Sequence, residues 1–256
     1  MEQHANGAIV TIRGLKKSFG RQLVFDSLDL DIMHGETLVV IGRSGCGKSV
    51  LLKHITGLLK PDAGEITFEG EDITRFTRKK LYHMRLHFGM LFQSSALFDS
   101  MTVGENVALP LRKHSDMSDE EIAKVVTEKL ELVGLTGVHD QYPSEMSGGM
   151  KKRIGLARAV AMNPQMVLYD EPTTGLDPIM ADVINELIRT LQRELAVTSV
   201  VVTHDMRSAY HVGDRIAMLY EGKIIHSGTP EEVRRTDDPV LRQFIEGKAQ
   251  GPIKSI

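Results

Sequence analysis

The sequence predicts an α/β fold, and three features of its hydrophobic pattern lead to that prediction. Short apolar or β-branched segments such as Thr37–Ile41 and Met166–Tyr169 alternate with helical patterns along most of the chain. These segments are continuously apolar, which is typical of parallel strands buried on both faces. A helical pattern over Ile179–Leu195 separates Met166–Tyr169 from the similar run Ser199–Thr203, as a crossover helix between parallel strands would.

The N-terminal and C-terminal parts of the chain are both rich in predicted strands. Ile9–Arg13 and Leu23–Ile32 are joined by a turn at Gly20, and further strands are expected at Gly64–Glu69 and His87–Phe92. Near the other end, the runs Arg215–Tyr220 and Lys223–Ser227 flank Glu221-Gly222 and predict a hairpin. We expect these two parts to form one core.

The middle of the chain is mainly helical in pattern. Ser118 followed by Glu121 forms a capping box that predicts a helix to about Val133, ended by Gly134. The middle is therefore expected to be an insertion in the core. The predicted organisation is a core lobe of residues 1–93 and 163–235, a helical subdomain of residues 94–162, and a C-terminal helix and tail of residues 236–256.

Composition excludes several classes of protein. The 256 residues suffice for a sizeable core, and the formal net charge of -3 lacks the basic excess of a nucleic-acid-binding domain. No apolar run approaches the roughly 18 residues of a membrane span, and residues 1–8 show no apolar signal segment. The single cysteine, Cys46, favours a reducing compartment. We expect no nucleic-acid partner and expect any membrane role to depend on another chain.

A glycine-rich phosphate-binding loop follows the apolar run Thr37–Ile41 and precedes a predicted helix. Its glycines allow backbone N–H groups to surround phosphates, and the helix that begins at Lys48 directs its positive end toward the same anion. Lys48 is expected to contact the β- and γ-phosphates, and the Ser49 hydroxyl is expected to bind Mg²⁺. Cys46 is either a redox-sensitive thiol or simply a small loop residue. The nucleotide-binding residues of the loop are Gly42, Arg43, Ser44, Gly45, Cys46, Gly47, Lys48 and Ser49.

Two adjacent carboxylates follow the apolar run Met166–Tyr169. Ligands of parallel α/β sheets sit at the carboxyl ends of the strands, which is where Asp170 and Glu171 are predicted to lie. Asp170 suits a role at Mg²⁺, either as a direct ligand or through a group that binds the ion, and Glu171 suits a general base that activates water. Because two buried carboxylates need a compensating cation, the pair indicates a metal.

Ser147, Gly148 and Gly149 form a second candidate anion site at a predicted helix start. Such a tripeptide is a weak signal alone, since it is common in loops. One nucleotide does not readily need two helix-start phosphate sites in the same chain. Two copies arranged head to tail would use both.

Taken together, these motifs resemble those of the nucleotide-binding subunit of ATP-binding cassette (ABC) transporters, over about residues 9–233. The resemblance implies a P-loop NTPase (RecA-like) core with an antiparallel β edge subdomain and an inserted helical subdomain. It also implies ATP and Mg²⁺ as cofactors and ATP hydrolysis as the activity. The motifs in chain order are Walker A at Gly42–Ser49, a Q-loop at Gln93, the signature at Met146–Met150, Walker B ending in Asp170 and Glu171, a D-loop at Gly175–Asp177 and a switch histidine at His204.

The resemblance assigns a role to each remaining site residue. Phe19 corresponds to the aromatic that stacks on the adenine, although it could instead be a core aromatic, and stacking would not exclude GTP. Gln93 would bind Mg²⁺ or water and respond to the membrane partner, and His204 would contact the γ-phosphate. Ser147–Gly149 would bind the γ-phosphate of the other protomer's ATP, and Asp177 would cross the dimer interface. Met150 replaces the glutamine of many members, but the phosphate-binding positions are kept.

The signature variant with Met150 also resembles that of one branch of the family, the ATPases of Mce-associated phospholipid transporters. The segments Gly89–Phe98 and Pro239–Gly247 agree with that branch. The branch implies transport between inner and outer membranes and a peripheral location on the cytoplasmic face of the bacterial inner membrane. Its implied partners are a second copy of the chain, integral-membrane permease subunits, a small cytoplasmic accessory subunit and an Mce-domain protein.

Several alternatives stay open from the sequence. The cargo could instead be amino acids or ions, and a chain of another class would be a soluble ABC ATPase without a transport role. Ala96-Leu97-Phe98 and Met101 suit a groove for a partner helix, but they could equally be core residues. The C-terminal segment would contact a partner subunit or cover the chain's own core.

Overall fold

The computed structural model describes residues 7–254, which form two compact units. Unit one contains the described residues up to Thr77 and those from Val200 onward, and unit two contains Arg78–Ser199. The two ends of the chain therefore share a unit, as the strand pattern predicts. The subdomain limits at 94 and 162 fall inside unit two and remain predictions. The prediction about a signal segment falls mainly on residues 1–6, outside the described range.

Ten strands are found in the described part of the chain, and most agree with the sequence pattern. They are β1 (Ala8–Phe19), β2 (Gln22–Met33), β3 (Thr37–Ile41), β4 (Ala63–Phe68), β5 (Glu71–Asp72), β6 (Phe88–Leu91), β7 (Met166–Asp170), β8 (Thr198–Thr203), β9 (Arg215–Tyr220) and β10 (Lys223–Gly228).

Nine α-helices occur within residues 7–254, and none of them is both long enough and apolar enough to cross a bilayer. They are α1 (Lys48–Ile55), α2 (Arg78–Arg85), α3 (Val103–His114), α4 (Asp119–Leu132), α5 (Gly148–Val160), α6 (Pro178–Leu195), α7 (Met206–Val212), α8 (Pro230–Arg234) and α9 (Pro239–Glu246).

Unit one contains an antiparallel sheet with the strand order β2-β1-β4-β5. Val10 of β1 lies opposite Ile32 of β2 and Phe68 of β4, and all three side chains are buried. Ile12 and Leu15 of β1 are buried as well. The strand continues beyond the predicted end at Arg13 and reaches Phe19 at the exposed turn.

Unit one also contains the parallel strand that leads into the phosphate loop. β3 pairs in parallel with β9, with Val39 opposite Ile216, and every residue of β3 is buried. The Asp214 carboxylate accepts a hydrogen bond from the Thr37 N–H at 2.8 Å. The guanidinium of Arg215 forms an ion pair with Glu36 at 2.6 Å. These bonds fix the start of β3, and through it the point where the loop begins.

Unit two places two parallel strands against a helix. β6 and β7 pair with Leu91 opposite Tyr169. α5 packs against β6 so closely that a Cβ at Gly89 would overlap the carbonyl oxygen of Ala159. Only glycine allows this approach of strand and helix. α3, α4 and α5 pack on one another, and the predicted capping box at Ser118 and Glu121 opens α4.

The main differences from the prediction concern the ends of elements. The helix after the phosphate loop, predicted to reach Leu58, ends at Ile55. Gly57 adopts the left-handed conformation (φ 63°), and its N–H donates to the His54 carbonyl. A glycine in this conformation commonly ends a helix. The chain therefore leaves the helix before Lys60-Pro61 is reached.

Candidate nucleotide-binding and hydrolysis site

The phosphate loop of unit one connects β3 to α1. Lys48, the first residue of α1, is almost completely buried. Its ammonium donates hydrogen bonds to the carbonyl oxygens of Gly42 at 2.8 Å and Arg43 at 3.1 Å. The lysine therefore stabilises the loop through these two carbonyl oxygens and places a positive charge within the loop. This is the location that the sequence predicted for a phosphate-binding lysine.

Gly47 shows why the loop requires glycine. Its φ is 110°, and a Cβ at this position would lie 2.8 Å from Val24 and 3.0 Å from Phe25. A side chain would thus be both strained and blocked by β2. The loop can turn into α1 only with glycine here, and the N-terminal N–H groups of the helix then remain able to bind an anion.

Phe19 and His204 are the other predicted site residues of unit one. Phe19 lies at the end of β1 with 46% of its surface exposed, so the alternative of a core aromatic does not fit its position. The Lys17 ammonium lies 5.4 Å from the ring centroid and is fixed by Asp62 at 2.7 Å. His204 follows the buried strand β8 and is exposed, and Asp205 after it caps α7. The aromatic face and the imidazole are thus both accessible.

In unit two, the predicted acidic pair lies at the end of β7. All residues of β7 are buried, and Asp170 and Glu171 are each only 9% exposed. Glu171 has a left-handed backbone (φ 48°), which costs a non-glycine residue about 1 kcal/mol. Its Oε2 accepts a hydrogen bond from the Thr174 hydroxyl at 3.3 Å. The chain thus turns sharply at Glu171, and strain of this kind is concentrated at functional sites.

Gln93 follows β6 and is exposed, and its backbone is held by Lys152 of α5. The Lys152 ammonium donates a hydrogen bond to the Gln93 carbonyl and lies 3.5 Å from the Glu171 carbonyl. Burial lowers the pKa of Lys152, whereas the charges of Asp170 and Glu171 act to raise it. The acidic pair therefore has a protein cation beside it. The sequence indicated only a metal for that role.

Lys152 is the residue that the sequence reasoning missed. It was visible only as one of three consecutive cations, Lys151, Lys152 and Arg153, after the signature glycines. A basic cluster on a helix usually indicates a solvated face. Lys152 is buried instead, and no local pattern distinguishes it from its neighbours.

A second cation of α5 holds the segment after Gln93. Arg158 donates to the carbonyl oxygens of Ser95 at 2.7 Å and Ala96 at 2.8 Å. Ser95 and Ala96 both adopt left-handed conformations, with φ values of 62° and 46°. Burial lowers the pKa of Arg158. The segment that begins at Gln93 is thus fixed to α5 at two points.

The signature residues form the N-terminus of α5. The Ser147 hydroxyl accepts from the Met150 N–H at 3.3 Å, and Ser147 and Gly148 are exposed. A Cβ at Gly149 would overlap the Met180 side chain of α6, so this glycine is required for packing. Asp177 is exposed and caps α6 through the N–H groups of Ile179 and Met180.

The candidate Mg²⁺ ligands all offer oxygen donors. Ser49, Gln93 and Asp170 offer a hydroxyl, an amide carbonyl and a carboxylate, and oxygen donors of this kind suit Mg²⁺. Within residues 7–254 there is no group of three or more His, Cys, Asp and Glu side chains that could hold a metal.

Comparison with known proteins gives consistent results. The family model described as "ABC transporter" matches residues 25–174. The chain is 44% identical over 247 residues to "Probable ribonucleotide transport ATP-binding protein mkl" of Mycobacterium leprae. The aligned region covers 96% of this chain and 71% of that protein. The chain is 40% identical over 249 residues to "Intermembrane phospholipid transport system ATP-binding protein MlaF" of Haemophilus influenzae, covering 97% and 94%.

A solved structure is also similar. It is the dimeric post-hydrolysis state of the ATP-binding cassette MJ0796 bound to ADP and Pi, with a TM-score of 0.79 and 33% identity. The match covers 86% of this chain and 98% of that one.

Replacing Lys48 should remove most nucleotide affinity. In Lys48→Ala the loop loses its internal brace and a charge-assisted contact, and we expect ATP binding to weaken by about tenfold to a hundredfold. Equilibrium titration with a fluorescent ATP analogue measures this. Lys53→Ala, an exposed lysine of the same helix, is the control and should bind normally. Normal binding by Lys48→Ala would refute the phosphate-binding role.

Proposed function

Because the chain belongs to the ABC transporter family and is an ATPase, we propose that it is the motor subunit of a transporter that moves phospholipid between the inner and outer membranes. The observation that carries the motor role is the buried pair Asp170 and Glu171 at the end of β7, in a chain that also has a braced phosphate loop. One motif alone would support only nucleotide binding. Both are needed for hydrolysis.

Each site residue has a role in this proposal. The backbone of Gly42–Gly47 and the Lys48 ammonium bind the phosphates, and Phe19 offers its exposed face to the base. Glu171 accepts the proton of the attacking water, and His204 contacts the γ-phosphate. Proton transfer to a positioned base typically contributes about a hundredfold to ten-thousandfold in rate.

Ser49, Gln93 and Asp170 would hold Mg²⁺. The bound ion neutralises charge that develops on the β- and γ-phosphates. Gln93 is well suited to report on the membrane partner, because its backbone is fixed to α5 while its side chain is exposed.

A second copy of the chain would complete each ATP site. Ser147 and Gly148 are exposed at the start of a 13-residue helix, and Asp177 is exposed as well. A helix start of this kind favours an anion. The solved cassette MJ0796 is dimeric with ADP and Pi. These points support a head-to-tail dimer in which the signature of one copy contacts the nucleotide on the phosphate loop of the other.

A groove in unit two offers a surface for the permease subunits. It has a volume of about 550 Å³ and is lined by apolar and basic side chains. Phe92 and Phe98 are 40% and 49% exposed, so the alternative of a buried core segment does not apply to Phe98. The residues that define the groove are Tyr82, Arg85, Phe88, Phe92, Ala96, Phe98, Pro110, Lys113, His114 and Arg158.

An apolar groove of this size suits a partner helix. Its lining includes Arg85 and Lys113, whose positive charges favour an acidic group on that helix. Docking through the groove would hold the chain at the cytoplasmic face of the bacterial inner membrane. The same complex would include an Mce-domain protein and a small accessory subunit, as in the branch that the sequence resembles.

The cargo is supported by relatives rather than by chemistry in this chain. The Haemophilus protein is named for intermembrane phospholipid transport and matches almost from end to end. The Mycobacterium protein is named for ribonucleotide transport, so a ribonucleotide is the second candidate.

Glu171→Gln tests the catalytic role. The amide cannot accept the proton, so we expect hydrolysis to fall by about a hundredfold or more while ATP still binds. Phosphate release and nucleotide binding are measured in parallel, and size-exclusion chromatography should show an ATP-dependent dimer. Glu128→Gln, an exposed carboxylate of α4, serves as the control. Undiminished hydrolysis by Glu171→Gln would show that another group is the base.

Phe98→Glu tests the groove. A carboxylate among the apolar side chains of the groove should prevent the partner helix from docking. Co-purification of the tagged chain with its cognate permease subunits should then be lost. Met117→Glu is the matched control, because Met117 is also exposed (43%) but does not line the groove. Retained co-purification with Phe98→Glu, or equal loss in both variants, would contradict docking at this surface.

Reconstitution tests the cargo. The chain and its cognate membrane subunits are placed in vesicles with labelled phospholipid, ribonucleotide or amino acid. We expect ATP-dependent movement of phospholipid, and none when the complex carries Glu171→Gln. Movement of the ribonucleotide or amino acid without movement of phospholipid would contradict the proposed cargo and leave the motor role intact.

A further inference from the structure

We propose that Lys152 is a positioning residue for ATP hydrolysis: its ammonium joins the backbone that follows Gln93 to the backbone at Glu171 and fixes both to the helix that begins at the signature. The proposal rests on the function proposed above, in which Glu171 is the general base. It concerns a residue that lies outside all of the motifs named above.

The geometry of the ammonium is the first support. Lys152 Nζ donates to the carbonyl of Gln93 and lies 3.5 Å from the carbonyl of Glu171. These two residues follow β6 and β7, which are paired parallel strands. One ammonium therefore reaches the ends of two adjacent strands, where the candidate metal ligand and the candidate base are located.

The charge of the ammonium is the second support. Lys152 is 5% exposed, and a buried cation is costly unless it is compensated. Asp170 and Glu171 are the acidic groups whose charges act on it. This attraction adds to the two backbone contacts that hold the ammonium between the ends of β6 and β7.

Lys152 lies on α5, the helix that begins at the signature, so its contacts with the Gln93 and Glu171 carbonyls depend on the position of that helix. Ser147 caps α5, and Lys152 lies little more than one turn further along the same helix. Displacement of the signature end would therefore move the ammonium relative to both carbonyls. In the head-to-tail dimer, the γ-phosphate bound at Ser147 belongs to the other copy's ATP. Lys152 would thus link occupancy of that site to the position of Glu171 in its own chain.

The decisive experiment is a double-mutant cycle between Lys152 and Glu171, made in the full chain assembled with its membrane subunits. Lys152→Gln should lower kcat by about tenfold to a hundredfold, as misplacement of a catalytic group typically does, and leave ATP affinity unchanged. Lys152→Arg should recover most of the rate, because it keeps the charge and the donors. In the Glu171→Gln background, Lys152→Gln should cause little further loss, since residues that act as a unit are not additive.

Lys129 provides the matched control. It is the same residue type, equally buried at 4% exposure, on α4 of the same unit, and donates to the Asn163 side chain at 2.7 Å. Lys129→Gln should lower the melting temperature about as much as Lys152→Gln does but leave kcat close to normal. Equal loss of kcat in both variants would reduce the role of Lys152 to general stability and overturn the proposal.

Two further results of the cycle would test the positioning role of Lys152 separately from the role of Glu171 as the base. An unchanged kcat for Lys152→Gln, or additive losses in the cycle, would overturn the positioning role while Glu171 stays the base. Full-rate hydrolysis by Glu171→Gln would instead contradict the proposed base itself, and the positioning role would fail with it. Should Lys152→Gln not fold, the cycle is run with Lys152→Arg, whose planar guanidinium keeps the charge and the donors but reproduces the ammonium geometry only in part. Its smaller loss of rate should again vanish in the Glu171→Gln background.

Discussion

The buried negative charge at the end of β7 constrains much of unit two. Asp170 and Glu171 are almost excluded from solvent, and an ionised carboxylate in such a place must be compensated by a cation or by hydrogen bonds. Lys152 supplies a cation from α5, and Thr174 supplies a hydrogen bond to Glu171. Packing of α5 on β6 brings the lysine within reach, and the absence of a side chain at Gly89 permits that packing.

α5 therefore has several functions in one element. Its N-terminus forms the signature, Lys152 holds the Gln93 and Glu171 carbonyls, and Arg158 holds Ser95 and Ala96. The last of these contacts lies in the groove proposed for the permease. A helix is a stiff element, so a force applied at the groove or at the signature is transmitted along it. This is the physical connection that coupling between transport and hydrolysis requires.

In unit one, the main electrostatic feature is the positive charge of Lys48 inside the loop between β3 and α1. In the proposed function this loop holds phosphates, which requires positive potential where the backbone turns into α1. Lys48 provides a charge that is kept in place by two loop carbonyls, and Gly47 leaves the turn free of side-chain atoms. Asp214 and Arg215 fix β3 from the other end. The loop thus depends on interactions of residues far away in the sequence.

The sequence alone determined the fold class, most of the strands, about half of the helices and the family, because these depend on local periodicity and on motifs of consecutive residues. Gly42–Ser49, Asp170-Glu171 and Ser147–Gly149 are readable for this reason. Only the tertiary structure decided that Phe19 and Phe98 are exposed and that Lys152 rather than Lys151 or Arg153 lies beside the acidic pair. Burial and charge compensation are set by contacts between segments distant in the chain, such as α5 with the ends of β6 and β7. No pattern of neighbouring residues records such contacts.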